Sequence, residues 1–167
     1  MNAMLDAALQ YTNAGLSVIP CAFKTKKPIG HLLPKVIDPH TGKKHPSWIP
    51  FTEQIACPDL LKRWFSNRAA GIAVVCGAIS GGLEVIDHDA PELFQPWREL
   101  VEELLPGLIA RLPIVQTQNG GYHVYYRCTK VESSQKLAEK QVEEKHKTLI
   151  ETRGTSSYAL TAPSVGY

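Results

Sequence analysis

The sequence predicts an α+β fold, a mixed or antiparallel sheet with flanking helices. Two observations predict it. Stretches with helical spacing come first and then between strands, and hairpin signals dominate the second half. That mixture favours an α+β sheet domain over a doubly wound parallel one. No internal repeat is visible.

The first element is a short helix, with Leu5, Ala8, Leu9 and Thr12 at helical spacing and Gly15 where a left-handed terminal residue is wanted. Leu16 to Pro20 reads as a strand. Six of the twelve prolines then fall between residues 20 and 50, so regular structure is not expected from Lys24 to Pro50. A loop that long inside a domain is usually functional. Pro58-Asp59 opens a second helix, with Leu60, Leu61, Trp64 and Phe65 on one apolar stripe. Two strands follow, IAVVCG (72–77) and LEVIDHD (83–89), joined by a Ser80-Gly81-Gly82 turn. Residues 91–105 read as a helix bounded by Pro91 and by Pro106-Gly107. IVQT (114–117) and YHVYYR (122–127) flank a Gln-Asn-Gly-Gly hairpin turn. Residues 129–147 are rich in Lys and Glu and read as an exposed excursion. TLIETR (148–153) and YALTA (158–162) are expected to form a last hairpin.

With 167 residues, 44% of them hydrophobic, the chain can bury about 70% of its unfolded surface. One domain over residues 1–167 is expected, and disorder is excluded. The abrupt stop after a strand suggests a piece of a longer replication protein. Eighteen basic against sixteen acidic residues leave +2, too mild a charge to announce a nucleic-acid partner. No segment approaches the ~18 apolar residues of a membrane span. The start carries Asp6 and no basic region, unlike a secretory signal. Cys21, Cys57, Cys76 and Cys128 show no paired spacing and read as reduced thiols, so a cytoplasmic protein is expected.

Asp87 and Asp89 end an apolar strand, two residues apart and therefore on one face. Such a pair suits a divalent cation with hard oxygen ligands, or else an acidic strand end that caps the following helix. In TLIETR, Glu151 and Arg153 share a face. They are either a surface ion pair or a third carboxylate beside a phosphate-binding guanidinium. His123 follows Gly120-Gly121 and is either a structural residue or a donor to a phosphate. Weaker signals are an ExK at Glu143-Glu144-Lys145 and a loose set of His31, His40, His45 and Cys57 without a zinc spacing. Trp64 and Phe65 read as core.

Taken in order, these motifs resemble the bifunctional primase–polymerase (Prim-Pol) domain of phage and plasmid replication proteins, in the archaeo-eukaryotic primase superfamily. The resemblance is carried by ALQYTNAGLSVIP, KTKKP followed by Trp48, IAVVCGAISGGLEVIDHD, VQTQNGGYHVYY and LIETRGTSSYALTAPS. It implies an RRM-like catalytic core and a template-dependent nucleotidyltransferase, a DNA primase/polymerase. The implied metal ligands are Asp87, Asp89 and Glu151, holding two Mg or Mn ions. His123 would contact the phosphates of an incoming dNTP or NTP, with Arg153 and the Gly121 backbone assisting. Lys24, Lys26 and Lys27 would touch single-stranded or primed DNA, unless they form a solvated basic loop. A helicase further along the polypeptide often accompanies the family. One departure stands out, since Gly121 occupies the position where the superfamily often carries Ser in Ser-x-His. Two alternatives remain at this point, a catalytically weak nucleotide- or DNA-binding relative and another DxD enzyme such as a glycosyltransferase.

Overall fold

The structure, a computed structural model, describes residues 2–66 and 70–167. Helix α1 (Ala3–Asn13) leads into β1 (Val18–Cys21). Asn2 begins α1 by accepting from the Leu5 amide, and its side-chain amide donates to the Phe65 carbonyl at 2.6 Å. One cap therefore also ties α1 to the end of the next helix. The proline-rich segment is more regular than expected. It holds a small hairpin, β2 (Lys35–Ile37) with β3 (Lys44–Pro46), flanked by short 3-10 turns at Gly30–Leu32 and Ile49–Thr52. Proline at a strand end or on a two-stranded edge costs no ladder bond, which is why Pro46 is tolerated there.

Helix α2 (Pro58–Phe65) buries the stripe the sequence foretells, with Leu61, Trp64 and Phe65 at 1% exposure or less. Trp64 meets Phe51 and Phe65 edge-on, and its indole N–H donates to the Leu32 carbonyl at 2.7 Å. The indole thus pins the proline-rich segment to the core.

Next come β4 (Gly71–Val75), β5 (Leu83–His88), helix α3 (Phe94–Leu104), β6 (Ile114–Gln116) and β7 (Tyr122–Arg127). The chain closes with β8 (Lys136–Val142), β9 (Lys145–Arg153) and β10 (Tyr158–Thr161). Among the described residues, every pairing between these strands is antiparallel. One sheet has the order β1-β4-β10 and the other β6-β7-β5-β9-β8. This is the α+β class expected.

Three local expectations need correction. Residues 72–77 and 83–89 do not pair as a hairpin. β4 is buried along its whole length at the centre of the three-stranded sheet, whereas β5 centres the five-stranded one. A single bridge, Gly77 to Leu83, remains between them. The turn residue Gly82 has φ +77°, and a Cβ there would lie 2.2 Å from the Cys128 carbonyl oxygen, so no other residue fits the crossing. Likewise β9 and β10 belong to different sheets, with β10 pairing to β4. Finally, the polar excursion from 129 to 147 is exposed as expected but contains β8 and the start of β9.

The two sheets share one core. Leu83, Val85 and Tyr125 of the five-stranded sheet pack with Val74, Leu160 and their neighbours from the three-stranded one. The opposite face carries His88, packed edge-on against Phe94 and Trp97 of α3.

Candidate active site

The register of β5 builds the site. Asp87 lies directly opposite His123 on β7 and directly opposite Glu151 on β9. Three residues far apart in the chain thus form one row across adjacent strands, on one face, at the spacing of the ladder. Two residues back, Val85 faces Tyr125 and Arg153 in the same way, which sets the Arg153 side chain beside Asp87. Asp89 lies just past the end of β5, held by its amide donating to the Leu149 carbonyl at 2.9 Å. Carboxylate oxygens of Asp87, Asp89 and Glu151 lie within 4.8 Å of one another. The helix-capping alternative for Asp89 is not realised, since the following turn has no side-chain cap.

Asp87 is buried, Glu151 half-buried and Asp89 exposed. Arg153 donates from Nε at 3.1 Å and from Nη2 at 2.9 Å to the same oxygen of Asp87, Oδ2. The same Nη2 lies 2.6 Å from Glu151 Oε1. The other Asp87 oxygen, Oδ1, lies 3.4 Å from Nε2 of His123. Burial alone would push the Asp87 carboxyl up. The hydrogen bond and charge of His123, and then those of Arg153, outweigh burial and hold it at about 2. Asp89 moves the other way, raised by burial and by the negative charge of Asp87. The acids therefore repel each other while one guanidinium holds two of them together.

His123 is fixed from behind. Its Nδ1–H donates to the Leu160 carbonyl at 3.0 Å, and the Tyr125 hydroxyl donates to the same oxygen at 3.2 Å. Nε2 is left as the atom turned toward the acids. The Tyr167 ring lies 5.5 Å from the imidazole, and the Lys26 ammonium stands 5.7 Å from the centre of that ring. The Lys26 charge also lowers the Asp89 carboxyl against the upward shift. Of the three lysines of KTKKP, Lys26 therefore reaches the site, from a left-handed residue with φ 58°. Lys24 and Lys27 are exposed on the same turn.

Gly121 is buried beneath the row. A Cβ there would lie 2.1 Å from the His88 carbonyl oxygen and 3.2 Å from Thr117 Oγ1. The missing serine is thus a steric consequence of how closely this loop approaches β5. The weaker signals dissolve. His31, His40, His45 and Cys57 are exposed, and Glu143 and Glu144 lie in the turn between β8 and β9. Among the described residues, Asp87, Asp89 and Glu151 are the one group of three with metal-ligand geometry.

The model of the bifunctional DNA primase/polymerase N-terminal family, Prim-Pol, matches residues 8–166. The chain belongs to the Prim-Pol family. No curated protein matches it. As a Prim-Pol domain the chain is of the primase/polymerase type of nucleotidyltransferase, a metal-dependent class whose substrates are nucleotides and DNA. The glycosyltransferase alternative is set aside on that finding. No helix is long and apolar enough to cross a membrane.

Several residues around the acids of this Prim-Pol chain are not among the candidate site residues read from the sequence. Tyr125 carries a visible signal, the period-two spacing that puts it on the His123 face. Tyr167 and the Leu160 carbonyl carry none, because they arrive from the other sheet and from the segment after β10. His88 sits within LEVIDHD without any local signal of its own. It is fully buried on the reverse face, neither ring nitrogen has a partner among the described residues, and burial pulls its pKa down to about 4.

Proposed function

We propose that residues 1–167 act as one catalytic domain that extends or initiates nucleic-acid strands on a template. The observation that carries this reading is the row His123–Asp87–Glu151 with Asp89 at its end. Three carboxylates within 4.8 Å, one of them buried and ionised, form a donor set of hard oxygens. That set fits two divalent cations, Mg or Mn. Held by Asp87, Asp89 and Glu151, such ions would supply the acidification of a primer 3′-hydroxyl and the charge neutralisation of the departing pyrophosphate. In the transfer, the 3′-hydroxyl gives up its proton to solvent, its oxygen bonds to the α-phosphorus of the incoming dNTP or NTP, and the bond to the pyrophosphate oxygen breaks.

The protein's own groups bind and orient. His123 Nε2 and Arg153 lie where charge on the triphosphate needs donors, and Lys26 adds a third cation from the KTKKP turn. Gly121 contributes main chain in place of a side chain. Lys24 and Lys27, exposed beside Lys26, face the DNA template or primer. Replication of a phage or plasmid type, with a helicase as partner, is the setting that fits such a domain.

The test is extension of a labelled primer–template with dNTPs and either metal. Incorporation by the wild type, and its loss in Asp87→Ala and Glu151→Ala with the far-UV spectrum retained, is the expected result. Extension by either variant at the wild-type rate overturns the reading. Binding of dNTP and DNA without any incorporation would reduce the domain to a binding module.

A further inference from the structure

The five-stranded sheet ends in a two-stranded arm that the reading above does not use. β9 pairs with β5 as far as Ile150, and the Asp89 amide takes the Leu149 carbonyl. From Thr148 to Lys145, and from Glu139 to Val142, the two strands pair with each other. At about 3.3 Å per residue, this arm reaches roughly 13 Å beyond the end of β5 where Asp87 and Asp89 lie.

The arm's sequence looks balanced, with Lys136, Lys140, Lys145 and Lys147 against Glu139, Glu143 and Glu144. Its register unbalances it. Two shifts, at Leu137 on β8 and at Leu149 on β9, each insert one residue opposite none. Such a bulge reverses the in-out alternation beyond it. Simple alternation from Glu151 would put Lys145 and Lys147 on the acid face. Past the bulges, however, Glu139 pairs with Thr148 and Gln141 with His146 on that face. Lys136 joins them, with its ammonium 2.8 Å from Glu139. The other face receives Lys140 opposite Lys147, and Val142 opposite Lys145. All three of these lysines are exposed, and no ion pair among the described residues involves them. Glu143 and Glu144 form the turn at the tip.

Like charges set directly opposite each other destabilise a ribbon. Here they are gathered on one face of an element that contributes no residue to the core. We propose that the Lys140, Lys145 and Lys147 face binds the sugar–phosphate backbone of the nucleic acid whose 3′-end lies at the acids, an inference that rests on the polymerase reading. A protein partner would want a cluster of aromatic or aliphatic anchors, and the arm's exposed large apolar side chains are only Leu137 and Val142 among the described residues, at its two ends. A row of point charges beyond the catalytic end suits a polyanion leaving the site.

The experiment is fluorescence anisotropy with a labelled primer–template duplex and, in parallel, a single-stranded oligonucleotide, over a KCl series. In K140Q/K145Q/K147Q the slope of log K against log salt becomes shallower by about 2 to 3, and affinity near physiological salt falls at least about 10-fold. The triple Lys→Arg variant retains binding, E139Q/H146Q on the opposite face keeps the slope, and the melting temperature and dNTP binding stay as in the wild type. A loss confined to duplex or to single strand supports the proposal and says which the arm holds. A wild type that binds DNA and extends primers while the Gln variant shows an unchanged slope overturns the arm alone. A wild type that neither binds DNA nor extends primers overturns the arm and the polymerase reading together.

Discussion

Arg153 directs both Nε and Nη2 at one oxygen of Asp87, leaving the second oxygen to His123. Its Nη2 simultaneously reaches Glu151. One guanidinium therefore occupies the electrostatic place between two carboxylates that a cation would fill. In chelator, Arg153→Gln leaves a buried carboxylate without one of its two counter-charges. Because Arg153 is itself about a third exposed, the cost is discounted from that of a fully buried pair to about 1–2 kcal/mol. Added Mn should then raise the melting temperature of this variant more than that of the wild type. Equal shifts would show that Arg153 and the metal do not share those oxygens.

His123 and Tyr125 divide one task. The imidazole faces the acids, and the Tyr125 hydroxyl shares the carbonyl that anchors it. His123→Ala should lower kcat for incorporation by about 100-fold, in the range of lost charge-stabilising donors. Tyr125→Phe keeps the anchoring bond and should cost less than about 10-fold. Steady-state extension kinetics separate the two, and equal losses would make Tyr125 more than a positioning residue.

Gly121→Ser should not restore the hydroxyl donor that related motifs carry. Its Cβ would meet the His88 carbonyl at 2.1 Å, so the loop or β5 must move. Calorimetry should show weaker, not tighter, dNTP binding, together with a lower melting temperature. Tighter binding would mean that the loop relaxes without disturbing the row.

The depressed pKa of Asp87 predicts an acid-sensitive fold in the metal-free protein. A carboxyl held at about 2 when folded stabilises the fold fully above its unfolded value near 4. That contribution disappears as pH falls from about 4 through about 2. Its size is roughly 2 kcal/mol. Urea unfolding in chelator at pH 5 and at pH 2 should show this loss in the wild type and not in Asp87→Asn. The raised Asp89 carboxyl acts in the opposite direction, and less so in Asp87→Asn, because part of its shift comes from the Asp87 charge.

What the sequence made legible was local. The alternation in LIETR put Glu151 and Arg153 on one face, as the structure has them, and the same period in YHVYYR sets Tyr125 beside His123, because period two holds wherever a strand is unbulged. The α2 stripe and the Gln-Asn-Gly-Gly hairpin followed from short-range spacing in the same way. Pairing partners were not legible. The turns at 80–82 and 154–157 look like hairpin turns, yet each carries the chain from one sheet to the other. Burial on both faces of β4 decided that outcome, and such burial is a property of distant neighbours. The bulges at Leu137 and Leu149 leave no mark in composition, so the sorting of the arm's charges was hidden as well.

The row that joins His123, Asp87 and Glu151 is spanned by main-chain amides and carbonyls rather than by loop residues. Distances among those three side chains are thus set by the same ladder that keeps the molecule folded, and lengthening the surface turns around them should leave them where they are. Any opening or closing around a nucleotide must fall to the parts outside that ladder, Lys26 on its tight turn and Tyr167 beyond the last strand.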